Sequence, residues 1–360
     1  MSHPRERNRL QRWFASLAAA AAVFITASLV PATAELGEEL VFLTWADYLD
    51  PDVVAEFEHE TGIKIRFAYY ESDDGRDEIL TNSDGRGYDL AIVNGLMLKS
   101  YAKRNWLAPM AQHSMPNLAH LEPRWRTAFP AAERYGVPYF WGTLGIAYRQ
   151  DLVPEGFNSW EDFFQPAEKL RGRIAMLKSS RDILGMALKS LGHSANTNDR
   201  NAVREAGRLL EAQRPFVRSY EYISLNEESA LVTGDVWASL AYSGDALMVQ
   251  EHHDEIVYVV PDEGGNLWVD YFTVLQASPR KDLAAKFIDF LNRPQIAARN
   301  AEFVYYATPN NAARELVSDD YAEDPVIHPA DEVIARSEVY RELMPRTQKA
   351  INSVFAQLVN

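Results

Sequence analysis

Three short apolar runs divided by helix signals constrain this chain more than any motif in it. Residues 40–44 (LVFLT), 63–68 (IKIRFA) and 88–93 (YDLAIV) have the length and apolar content of buried strands. Between the first two, Asp50 offers a helix N-cap and Pro51 suits the first helical position. Val53, Val54 and Phe57 give that helix one apolar face, and Gly62 stands where a left-handed C-cap belongs. An acidic loop at Glu71, Asp73 and Asp74 is expected after the second run. A β-α-β-α-β order with apolar strands predicts a parallel or mixed sheet covered by helices.

A second α/β set is expected from Ile174. A strand at 174–177 leads to a helix over 183–191, then to helices over 202–212 and 227–232, the last closed by Gly234. Strands are expected at 236–241, 256–260 and 270–275. Ser278 and Pro279 then open an amphipathic helix (Leu283, Ala284, Phe287, Ile288, Leu291) that stops at Pro294. With 360 residues, no repeat and no long linker, the chain suits two α/β lobes and more than one crossing between them.

The N-terminus reads as an address. Arg5, Arg7, Arg9 and Arg12 precede an apolar run over 13–30, and Ala32-Thr33-Ala34 supplies the small residues a signal peptidase reads. Residues 1–34 are therefore expected to be a secretory signal peptide cut before Glu35. Losing four Arg and one Glu leaves 32 basic against 50 acidic residues, a balance of −18. Such acidity opposes nucleic-acid binding and favours a cationic ligand. No cysteine is present, so there is no disulfide, thiolate metal site, cysteine nucleophile or lipid-modified cysteine anchor.

Catalytic and cofactor signatures are missing: there is no G-x-G-x-x-G, P-loop, G-x-S-x-G or H-E-x-x-H. His252 and His253 are adjacent and point to different sides, a poor metal pair. More telling are places where aromatics and acids sit together at element ends. These are Trp45, Asp47 and Tyr48 after the first strand; Tyr242 and Asp245; and Trp268 and Asp270. Asp182 at a helix start and Tyr306 join them. Ligands of open α/β sheets bind beyond the carboxyl ends of strands. Rings beside carboxylates suit an organic ammonium ion, since the ring face attracts the cation and the carboxylate takes its N–H bonds. Taken singly, each position also fits ordinary packing or helix capping.

The loop Trp45-Ala46-Asp47-Tyr48, then Phe57-x-x-Glu60-Thr61-Gly62-Ile63-Lys64 and Tyr70-Glu71-Ser72, resemble the opening of periplasmic spermidine/putrescine-binding proteins. The likeness continues through 137–143 (VPYFWGT), 186–192 (MALKSLG), 264–270 (GGNLWVD) and 306–310 (YATPN). This resemblance implies a two-lobed (type II) periplasmic-binding-protein fold of mixed sheets, with crossing hinge strands and the ligand in the interlobe cleft. Lobe 1 would be 35–145 plus 270–313, and lobe 2 would be 146–269 plus 314–360. It implies a free monomeric periplasmic carrier that needs no cofactor, binds a polyamine and hands it to an ABC permease in the inner membrane. The ligand set it implies is Trp45, Asp47, Tyr48, Asn94, Asp182, Tyr242, Asp245, Trp268, Asp270 and Tyr306, with no catalytic or metal role.

Departures from the family pattern are Val93-Asn94-Gly95 for its Pro-Ser, Leu96 for an aromatic or serine, Ser179 for an acid and Tyr242 for Trp. Asp245 matches an acid of the putrescine-preferring members, so a diamine such as putrescine is favoured over spermidine. Two other readings keep the exported chain: a carbohydrate or amino-acid derivative as ligand, with Asn94 and Tyr242 serving hydroxyls, or a hydrolase using two cleft carboxylates.

Overall fold

The computed structural model describes residues 38–359. The signal peptide expected over 1–34 lies outside the described residues. The strands of the described residues are β1 (Glu39–Thr44), β2 (Lys64–Tyr69), β3 (Leu90–Asn94), β4 (Val137–Arg149), β5 (Ile174–Met176), β6 (Val217–Tyr220), β7 (Ala238–Tyr242), β8 (Ile256–Val259), β9 (Asn266–Val274) and β10 (Glu338–Val339). They hydrogen-bond in the order β2-β1-β3-β9-β4-β7-β5-β6, with β10 beside β9 and β8 beside β4. Parallel pairs join β1 to β2 and β3, and β5 to β6 and β7. Antiparallel pairs join β9 to β3 and β4, and β4 to β7 and β8. The result is a mixed α/β architecture.

The strand β4 ties the halves together. Its first part, Val137 to Thr143, pairs with β9, and its second part, Leu144 to Arg149, pairs with β7 and β8. Pro138 cannot donate to a ladder, and the register with β9 shifts between Pro138 and Trp141. There the Trp141 N–H turns to the Ala307 carbonyl at 3.1 Å.

Two main cores flank this strand. One gathers Phe42, Phe57, Phe140, Phe272 and Phe287; the other gathers Trp160, Phe163, Phe164, Leu184 and Leu210. Helix α1 (Pro51–Thr61) follows from its caps: the Asp50 carboxylate accepts from the Asp52 N–H at 2.8 Å, and Gly62 has φ 73°. It buries Val53, Val54 and Phe57, and the Phe57 ring lies 4.7 Å from that of Phe287 in the helix Lys281–Leu291. Burying a side chain such as Phe57 stabilises by roughly 1.5–3 kcal/mol.

Several local expectations meet a different outcome. The acidic loop is instead the start of helix α2 (Asp73–Asn82), capped by the Ser72 hydroxyl accepting from Gly75 N–H at 3.0 Å. Residues 227–232 form turns, because Asn226 takes the Glu228 N–H and the Val236 N–H returns to the Ala230 carbonyl. The helix Lys281–Leu291 has no side-chain cap: Ser278 Oγ donates to Asp89 at 2.5 Å while accepting from Arg280 N–H at 2.9 Å. Beyond Ala313, Tyr321 and Ile327 still pack in the first core, and the chain enters the second only at Tyr340.

Candidate functional site

The candidate residues follow the carboxyl ends of β1, β3, β5 and β7, the side on which open α/β sheets bind ligands. Trp45, Asp47 and Tyr48 follow β1, Asn94 ends β3, and Asp270 pairs with Asn94 across the β3–β9 ladder. Asp182 lies in the first turn of the helix Ser180–Ser190 beyond β5, whose N-cap is Ser179. Tyr242 ends β7 and leads into the helix Ser243–Gln250, with Asp245 in its first turn. Both acids thus sit at helix N-termini, where the backbone dipole favours negative charge.

Each of three buried acids is met by tyrosine hydroxyls. Tyr48 donates to Asp270 Oδ2 at 3.1 Å, and Tyr242 donates to Asp182 Oδ2 at 2.9 Å. Asp245 accepts from Tyr306 at 2.5 Å on one oxygen and from Tyr222 on the other. Their rings form a continuous wall with Trp268, which meets Tyr306 edge-on at 4.8 Å and Tyr242 at 5.9 Å. Tyr48 lies 6.0 Å from Tyr306. Trp45 packs on Tyr70 at 4.6 Å and stacks against Tyr222 at 6.3 Å. The indole N–H of Trp268 is buried without a partner.

Burial dominates the electrostatics. It pushes the Asp245 carboxyl up to about 6, against the lowering effect of its two tyrosine bonds. Asp270 is pushed up to about 7, first by burial and then by the charge of Asp73, with Arg76 and the Tyr48 bond opposing. Burial likewise raises Asp182, while Ser179 and Tyr242 hold it down. Among the described residues no lysine or arginine forms an ion pair with any of these three acids. A group of acids that burial keeps reluctant to ionise, walled by ring faces, is chemically suited to a compact organic polycation.

Eight of the ten residues singled out in the sequence therefore converge. Asn94 is turned aside, its Nδ2 donating to Asp73 Oδ2 at 2.6 Å. Asp47 stands at the rim, exposed and at φ 52°, with its charge acting on Tyr69. Three contributors escaped sequence reading as site residues. Tyr222 belongs to an aperiodic turn-rich stretch that gives no signal. Asp73 and Arg76 lie on α2, where the spacing of buried Arg76 and Leu80 was the available clue.

A family model for bacterial extracellular solute-binding proteins matches residues 52–329. The norspermidine sensor of Vibrio cholerae is 31% identical, over 89% of this chain and 89% of its own length. The spermidine/putrescine-binding periplasmic protein of Escherichia coli is 31% identical, over 91% and 93%. Among solved structures, the substrate-binding protein of the Streptococcus pneumoniae spermidine/putrescine ABC transporter superposes with a TM-score of 0.76 at 28% identity, over 89% of this chain and 98% of that one.

Proposed function

The chain belongs to the bacterial extracellular solute-binding proteins, the non-enzymatic binding components of ABC transporters, and from that premise we propose that it binds polyamines. The observation that carries this reading is the trio Asp182, Asp245 and Asp270, buried among aromatic rings and, among the described residues, bonded only to neutral donors. A ligand that brings two or more ammonium groups supplies the charge these acids lack. The names of its relatives support the same ligand class. Within that class we favour putrescine over spermidine, with Trp45, Tyr48, Tyr242, Trp268 and Tyr306 as the ring contacts and Asp47 and Asn94 at the rim.

The protein would act in the periplasm after loss of residues 1–34 and deliver its ligand as a monomer to an inner-membrane permease. Lobe 1 would carry β1–β3 and lobe 2 would carry β5–β8, with β4 and β9 as crossings and closure as a hinge motion. A second reading, ligand sensing in place of delivery, is favoured by the likeness to the Vibrio cholerae sensor.

Thermal melting with putrescine, spermidine, norspermidine and cadaverine, with sugars and amino acids as controls, tests the ligand. At 100 times its Kd a true ligand stabilises by about 2.7 kcal/mol. Stabilisation by a sugar and by no amine would replace this reading.

A further inference from the structure

Arg76 is completely buried at the edge of the cleft. Its guanidinium donates to Asp73, to Asp77 at 3.1 Å and to the Tyr101 hydroxyl at 3.1 Å. It also lies 5.6 Å from the centre of the Tyr70 ring, and Tyr70 in turn packs against Trp45 at 4.6 Å. A column of cation, ring and ring thus runs from the interior to the cleft wall. The other oxygen of Asp73 accepts from Asn94, which faces Asp270 across the β3–β9 ladder. Arg76 is therefore tied through Asp73 and Asn94 to the strand that carries Asp270.

Polyamines share a methylene chain and differ in how many ammonium groups they carry. Each desolvated ammonium needs its own acid, and a positive charge already placed nearby opposes another. Arg76 occupies Asp73 and Asp77, whose side chains are 46% and 34% exposed and would otherwise be acids open to a ligand. Asp73 is felt at both Asp182 and Asp270, so it belongs to the same electrostatic field as the cleft acids. Discrimination by an unfavourable charge against the wrong ligand is a common device of specific sites.

We propose that Arg76 is a resident cation that fixes how many ammonium groups the ligand carries, selecting a diamine against a triamine. The proposal rests on the polyamine reading above and names a residue outside the ligand's direct contacts. Arg76 is a positioning and specificity residue, acting through Asp73 and the field at Asp270.

Calorimetric titration of putrescine and spermidine into the wild-type protein, Arg76→Met and Arg76→Lys tests it. The wild type is expected to prefer putrescine. In Arg76→Met the relative affinity for spermidine should rise by on the order of tenfold, and Arg76→Lys should restore the wild-type ratio. The double variant Arg76→Met/Asp77→Asn removes a matched charge pair and serves if the single variant does not fold. An unchanged ratio in a folded variant, or a wild type that prefers spermidine, would overturn the role of Arg76 alone. A wild type that binds neither amine would overturn the polyamine reading and this inference with it.

Discussion

Among the described residues, the buried Asp270 carboxylate has one hydrogen bond, from Tyr48, and no cation in contact. In the absence of ligand its charge is a liability, and in the proposed complex an ammonium ion would make it an anchor. Asp270→Asn should therefore leave the melting temperature of the free protein equal or higher, while amine affinity falls by roughly 2–5 kcal/mol. A hydrolase would instead lose turnover and keep binding, so calorimetry beside an activity screen separates the two. Proton linkage gives a second expectation. Asp245 at about 6 and Asp270 at about 7 both titrate above an ordinary aspartate, so between pH 4 and 7 these two acids hold more protons in the folded free protein than in the unfolded chain. Their contribution to stability thus rises as pH falls through 7 and 6 and is lost as pH rises above them, and His328, held down to about 4 by burial, opposes it. Amine binding needs the ionised acids, so affinity should weaken from pH 8 to pH 5.5 with proton release on binding. Calorimetry in buffers of different ionisation enthalpy counts those protons, and a pH-independent affinity would falsify the assignment. Most of these acids were visible in the sequence because each follows a strand or opens a helix. Asp73 was read only as part of an acidic loop, because its partner Arg76 is a charged residue buried by pairing, and hydropathy places arginine at the surface.

Elements with explicit boundary chemistry were the legible ones. Asp50, Pro51 and Gly62 marked α1 to the residue, whereas β9 begins at Asn266, ahead of the Asp270 start expected. Its first residues are held by pairing with β10 and β4, a tertiary effect that no local pattern carries. The segment 227–232 failed for the opposite reason: one turn of helix is costly to nucleate, and the Asn226 side chain offers its backbone an alternative. Within β4, Gly142 is required by close packing. A Cβ there would stand 2.7 Å from the Trp268 ring and 2.8 Å from Ser243 Oγ. Gly142→Ala should destabilise by about 1–3 kcal/mol and weaken ligand binding, because the indole that must yield is part of the cleft wall. Melting and titration check it; an unchanged affinity would show that Trp268 does not form that wall.

Across the molecule, several polar and aromatic contacts join the residues around the candidate site. Tyr306 reaches Asp245, Trp45 stacks on Tyr222, Lys99 pairs with Glu342 at 2.6 Å, and Tyr305 donates to Glu251. The exposed ion pair contributes little in water. The strand β4 behaves otherwise. Half of its ladder completes the sheet over one core and half completes the sheet over the other, and it is one uninterrupted run of 13 residues. Neither core can lose its share of that strand without stripping hydrogen bonds from the other. The halves are therefore expected not to melt apart. Scanning calorimetry of the free protein should accordingly show one cooperative transition with matching calorimetric and van't Hoff enthalpies, and two resolved peaks would contradict it. If the proposed closure runs through β4, its hinge is also part of the fold's cooperative unit, and modular folding is given up for it.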